Sequence, residues 1–367
     1  MSLRNRTLST VSVLGLSALV LTACGAAPEE SSSADEASDF TGCIVSDDGG
    51  FQDRSFNQSS YEGLQAAAQS AGIQTREAES QAATDFEPNL NSMVQGGCDL
   101  TLSVGFLLAD ATRAAAEANP ESDFAIIDDG TITDLDNVKP LTYDTAQAAF
   151  LAGYAAAGAT ETGTVATYGG VDIPTVTVFM DGFSDGVDHW NEQKDDDVDL
   201  LGWDKESQNG TIINSFTDTA AGKTTTQNFI NEGADVIMPV AGQAATGTPD
   251  AVVEANADGR ADEVTFVWVD SDGYETLSEE QRPYQLTSVL KGLRTSVEDV
   301  VTTAADGEFD AAPYVGTLEN DGVGIADYHD QTERVGEELA TEVDEVRQQI
   351  IDGDIVVESP SSPESEA

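Results

Sequence analysis

Short β-branched runs alternate with alanine-rich helical stretches from residue 42 onward, and this rhythm constrains the fold more than any other feature of the chain. Residues 42–46 read as a strand and 56–71 as a helix. Residues 73–77 and 100–104 are further strands with a helix between them, and a helix over 111–118 leads to a strand over 123–127. The second half repeats the pattern, with strands over 164–167, 198–201, 235–238 and 265–269. Such alternation predicts parallel sheets covered by helices on both faces. About ten such units exceed one open sheet, so two α/β lobes are expected. Pro174 follows Ile173 at the opening of a helix, where its missing N–H costs nothing.

Open parallel sheets bind ligands outside the carboxyl ends of their strands, and two facing lobes form a cleft there. Charge narrows what can enter it. The 367 residues include 68 acidic and 15 basic side chains, a formal net charge of −53 that repels phosphate backbones and excludes a nucleic-acid binder. Acidic runs such as Asp195-Asp196-Asp197 have no basic stripe beside them and read as a solubilising exterior.

The amino terminus reads as an address. Arg4 and Arg6 precede an uncharged apolar stretch over residues 8–23, the pattern of a secretory signal and not of a spanning helix. Leu21-Thr22-Ala23-Cys24 resembles the bacterial lipobox, in which cleavage after residue 23 exposes Cys24 for diacylglyceryl attachment. An ordinary signal peptide cut near Ala27 is the alternative. Lipidation would hold the protein on the outer face of the cell membrane, with residues 24–41 as a polar tether. Cys43 and Cys98 then remain, an even pair in an oxidising compartment. In a sheet ordered 2-1-3 both lie at the amino ends of neighbouring strands, a spacing compatible with a disulfide; two buried thiols are the other reading.

Motifs of enzymes and metal sites are incomplete. Ala221-Gly222-Lys223-Thr224 looks like the end of a phosphate-binding loop, but Thr217 occupies the position of its first glycine. Glu254, Asn256, Asp258 and Gly259 open like a calcium loop, yet Thr265 stands where the bidentate glutamate belongs. His189 and His329 have no cysteine or second histidine at ligand spacing. No metal, no cofactor and no enzymatic activity are expected.

The informative segment is Asp47-Asp48-Gly49-Gly50-Phe51-Gln52-Asp53-Arg54-Ser55-Phe56-Asn57-Gln58, which closes the first strand and opens the first helix. Two glycines let the backbone approach a ligand. Asp47 can accept from a polyol, Phe56 offers a flat π-face, and Asn57 presents a donor and an acceptor to a heterocycle edge. A helix cap with one core aromatic would leave the same trace.

This segment resembles the signature of the basic membrane protein family of substrate-binding lipoproteins, which includes the bacterial purine nucleoside receptors. The likeness continues through Val104-Gly105-Phe106, Phe150-Leu151-Ala152-Gly153-Tyr154, Gly169-Gly170-Val171-Asp172-Ile173-Pro174, Ser215-Phe216-Thr217-Asp218, Val240-Ala241-Gly242, Val269-Asp270-Ser271-Asp272 and Leu290-Lys291. It implies a type I periplasmic-binding-protein fold, two doubly wound parallel-sheet lobes joined by three crossings, feeding an ABC importer. It further implies that Phe56 and Phe216 stack on a purine and that Asn57 and Asp110 read the base edge. Asp47, Gly242, Asp270 and Lys291 would hold the ribose. Otherwise Phe216 is a core aromatic and Lys291 a surface charge. Gly273 stands where the family pattern carries Gln.

The expected organisation is residues 42–142 plus 288–308 in the first lobe and 143–287 plus 309–352 in the second. Residues 353–367 read as a disordered acidic tail. A monomeric extracytoplasmic receptor that passes nucleosides to an ABC permease is the leading expectation. A receptor for a sugar or autoinducer, a sensor without transport, and an enzyme on the same scaffold are the alternatives.

Overall fold

The computed structural model describes residues 39–363, so Cys24, the expected signal and most of the tether lie outside the described residues. The first lobe opens with β1 (Thr41–Ser46), α1 (Phe56–Ala71), β2 (Gln74–Ala78) and α2 (Phe86–Gln95). It continues with β3 (Leu100–Val104), α3 (Ala109–Ala118), β4 (Asp123–Ile127) and β5 (Val138–Tyr143). The second lobe takes α4 (Thr145–Ala159), β6 (Thr164–Gly169), α5 (Pro174–Lys194), β7 (Asp199–Leu201) and the small hairpin β8 (Trp203–Asp204) with β9 (Asn209–Gly210). Then follow α6 (Thr219–Glu232), β10 (Val236–Val240), α7 (Gly247–Ala257), β11 (Thr265–Asp270), α8 (Gly273–Thr276) and β12 (Gln285–Lys291). The chain next forms α9 (Leu293–Ala305) and β13 (Tyr314–Gly316), and ends through β14 (Val323–Ile325) and α10 (Thr332–Ile351).

One six-stranded sheet has the order β13-β5-β4-β3-β1-β2 and the other β14-β12-β11-β10-β6-β7. Every pairing within them is parallel except β12 with β14. The 2-1-3 order is present, and the central strands β1 and β3 are buried along their whole length, as their β-branched and aliphatic runs require.

Where the chain changes sheet differs from expectation. Residues 288–291, expected in the first lobe, belong to β12, which pairs with β11 in the second sheet. Residues 314–316, expected in the second lobe, form β13 and pair with β5 in the first. Both elements carry weak signals: β13 has three residues, and β12 mixes Gln285, Thr287 and Ser288 with its aliphatics. β5 also escaped the pattern, because Pro140 within a run argues against a strand. The chain thus passes between the sheets three times, and the crossings bond to one another. Asp144 N donates to Gly316 O at 2.8 Å and Gly292 N to Gly322 O at 2.8 Å.

The expected disordered tail is corrected for its described part. Ile355 and Val357 pack against the core, and the tail hydroxyls find acceptors. Ser359 Oγ donates to Asp181 Oδ2 at 2.6 Å and Ser362 Oγ to Asp144 Oδ1 at 2.9 Å, while Lys205 Nζ donates to the Glu358 carbonyl at 2.6 Å. A serine-rich composition gave no hint of these partners, which lie 153 to 218 residues away.

Helices α4 and α5 pack so closely that a Cβ at Gly153, Gly182 or Gly186 would collide with the facing backbone. The beginning of α5 is thereby fixed against the cleft. Among the described residues no helix is long and apolar enough to cross a membrane.

Cys43 and Cys98 are joined by a disulfide with Cα atoms 5.9 Å apart, bridging β1 to the residue two before β3. It lies at the amino ends of these strands, away from the cleft. Chain entropy for a loop of this length gives about 4 kcal/mol. Unfolded, unreduced mature protein should therefore show no titratable thiol from this pair, and reduction should lower the denaturation midpoint without changing ligand affinity.

Candidate functional site

Seven of the eight expected ligand residues line one cleft between the carboxyl ends of the two sheets. Asp47, Phe56 and Asn57 come from the first lobe; Phe216, Gly242, Asp270 and Lys291 come from the second. Asp110 does not join them. It is exposed on the first turn of α3, because a short 3-10 turn over residues 106–108 intervenes after β3 and places Phe106 at the cleft.

The residue that alternation and motif matching missed is Asp128, which follows β4 and lines the cleft. Its signal was present: Asp128-Asp129-Gly130 after a buried strand repeats Asp47-Asp48-Gly49 after β1. Asp128 and Asp270 stand at strand ends of opposite sheets, and both have left-handed backbones, with φ of 67° and 70°. Non-glycine residues rarely adopt that conformation without a surrounding reason to do so.

Asp53 organises the first wall. Its carboxylate accepts from the backbone N–H of Ser55 at 3.0 Å, Asn57 at 2.9 Å and Gln58 at 3.0 Å, satisfying the open end of α1. Asn57 is thereby fixed, and its Nδ2 donates to Asp47 Oδ1 at 2.8 Å. Asn57 Oδ1 is buried with no hydrogen-bond partner. Gly105, at φ 114°, is required here, since a Cβ would collide with the Asp47 carboxylate.

Lys291, the last residue of β12, is the cleft's cation and is buried, not a surface charge. Its Nζ lies 2.6 Å from Asp128 Oδ2 across the cleft and 3.9 Å from Asp270 Oδ1. It also lies 5.0 Å from the Phe56 ring centroid and 5.2 Å from that of Phe179. Phe216 is half-buried at the second wall, close against Gly242 and Gly170. At Gly273, a Cβ would meet Gln285 and the Trp268 indole, so Gln285 fills space that the glutamine expected there would need.

The family model for PnrA-like ABC transporter substrate-binding proteins matches residues 40–361. The chain belongs to that family. It is 31% identical over 368 residues to the ABC transporter nucleoside-binding protein BmpA of Lactococcus lactis, covering 97% of this chain and all of that one. An uncharacterized lipoprotein of Pyrococcus abyssi is 29% identical over 77% of this chain and 68% of its own length. Among solved structures, an ABC transporter solute-binding protein from Aeropyrum pernix superposes with a TM-score of 0.78 at 25% identity, covering 88% of this chain and 94% of that one. The architecture is that of type I periplasmic-binding proteins. Members of the family bind a small ligand for an ABC importer and work with its permease; they are not enzymes.

Electrostatics define the ligands such a cleft accepts. Burial raises the Asp47 carboxyl well above the usual range against the hydrogen bond from Asn57, and it raises Asp128 and Asp270 against the attraction of Lys291. Burial also lifts Asp53 to about 6, despite its three backbone donors. Five carboxyl groups (Asp47, Asp48, Asp53, Asp128 and Asp270) beside one ammonium disfavour anions and favour neutral ligands rich in hydroxyl and N–H donors.

The raised Asp53 carboxyl has a signed consequence. Because its folded-state value exceeds that of the unfolded chain, its contribution to stability is full below about pH 4 and is lost as pH rises through about 6. The difference amounts to about 3 kcal/mol at most. Denaturation of the wild type between pH 4 and 7 should show this slope, and Asp53→Asn should lack that component; parallel pH profiles would contradict it.

Proposed function

We propose that the protein captures nucleosides outside the cell, purine nucleosides above all, and delivers them to an ABC permease. The observation that carries the reading is the unpartnered Asn57 Oδ1, buried beside Phe56 in a cleft whose opposite wall presents Phe216, Asp270 and Lys291. A purine supplies two π-faces for the phenyl rings and an edge donor for Asn57. A ribose supplies vicinal hydroxyls for the carboxylates, while Lys291 donates to a sugar oxygen. Asp128, paired with Lys291, joins the ligand-holding set, and Asp110 leaves it. The nucleoside-binding name of the Lactococcus relative supports this choice. Cys24 carries the lipid anchor in this reading, a proposal supported by the lipoprotein name of the Pyrococcus relative. The lobes close on the ligand by bending at the three crossings, and the receptor works as a monomer.

Titration calorimetry against inosine, adenosine, hypoxanthine, adenine and ribose tests the ligand class. Heat is expected with the nucleosides; none with any nucleoside would end the reading, and heat with sugars alone would replace the ligand while keeping the receptor role. Asp270→Ala should weaken inosine binding about 10- to 100-fold and hypoxanthine less than about threefold. Equal losses for both would show that Asp270 does not hold the ribose.

A further inference from the structure

We propose that the turn Asp53-Arg54-Ser55 is the closure latch of the cleft and that Ser55 is a positioning residue for Asp270. The latch needs only a cleft that closes, while its ligand readout rests on the nucleoside reading. Three side chains of the second lobe converge on one first-lobe carbonyl. Trp268 Nε1 lies 3.2 Å from Arg54 O, Ser271 Oγ 3.2 Å and Thr276 Oγ1 3.1 Å. One residue on, the fully buried Ser55 Oγ lies 2.6 Å from Asp270 Oδ2 and 3.1 Å from the Val269 carbonyl. A carbonyl oxygen has two lone pairs, so the three donors gathered around it saturate it entirely from the second lobe.

Each of these bonds joins the two lobes, and separation of the lobes breaks all of them together. The first-lobe side is rigid, because the Asp53 carboxylate grips the backbone on both sides of the helix start. The second-lobe donors lie within residues 268–276, the stretch that also carries Asp270. Backbone conformation reinforces the coupling: Arg54 at φ 62° and Asp270 at φ 70° are both left-handed, a state that surrounding contacts must hold in place. The hydroxyl of Ser55 takes one Asp270 oxygen and leaves Oδ1 on the Lys291 side, 3.9 Å from its Nζ. Closure and the orientation of a ligand-holding carboxylate are therefore one event.

The test uses the double variant Ser271→Ala with Thr276→Val, neither of which lines the cleft. Small-angle scattering of the full mature protein is compared with and without saturating inosine, together with stopped-flow dissociation. The unliganded variant should have the larger radius of gyration, and inosine affinity should fall about tenfold, chiefly through faster dissociation. An unchanged radius together with unchanged affinity would overturn the latch, as would a loss of thermal stability alone. Should inosine bind neither protein, the nucleoside reading falls, and the unliganded scattering comparison still decides the latch. Ser55→Ala should weaken inosine more than hypoxanthine, with Ser55→Thr restoring much of the difference; equal weakening of both would overturn the positioning role.

Discussion

Among the described residues one buried cation, Lys291, links the two halves of this molecule across the cleft. Lys291 ends a strand of the second sheet, and its nearest carboxylate, Asp128, directly follows a strand of the first. Taking both out of water costs several kcal/mol per ion, recovered only with close geometry and further partners. Asp270 and the Phe56 and Phe179 rings supply those partners. Removing the ammonium would leave carboxyl groups with raised proton affinity facing one another. The cleft is thus electrostatically complete only when both lobes contribute, which ties the identity of the site to its closure.

Topology makes such a meeting possible. Parallel strands deliver all their carboxyl ends to one edge of each sheet, so Asp47, Asp128, Asp270 and Lys291 reach one cleft from positions spread over 245 residues. The tight α4–α5 interface fixes the segment that brings Val176 and Phe179 to the same cleft. The bonded crossings at Asp144, Gly292 and residues 316–322 concentrate any bending where neither sheet is disturbed.

What could be read from the residues follows the strength of local signals. Strands β1, β3 and β4 are apolar runs closed by turn residues, and α1 has its full 3.6-residue pattern, so both the elements and the 2-1-3 order were legible. From that order the proximity of Cys43 and Cys98 follows by geometry. The loop of residues 47–58 was legible as a site because its polar groups are adjacent in the chain. Asp128 was harder, since its meaning depends on Lys291, 163 residues away. Asp110 misled because a one-turn 3-10 segment shifts the register between strand end and helix. The lobe boundaries and the docked tail turn on three-residue strands and on long-range hydroxyl bonds, neither of which leaves a periodic trace.

The acidity of the exterior and that of the cleft act over different distances. A formal charge of −53 discourages anions at the encounter stage, but salt screens this field within about 8–10 Å. Inside the cleft the screening fails, and the raised carboxyl groups show why: desolvation already pushes them toward neutrality before any ligand arrives. An incoming phosphate would have to face these groups with only Lys291, itself committed to Asp128, to offset its charge. A neutral ligand meets the opposite situation, because its hydroxyl and N–H donors satisfy acceptors that the protein leaves open. For the nucleoside proposed above, discrimination against charged analogues would come from the same interactions that hold the lobes together, with no separate residue to enforce it.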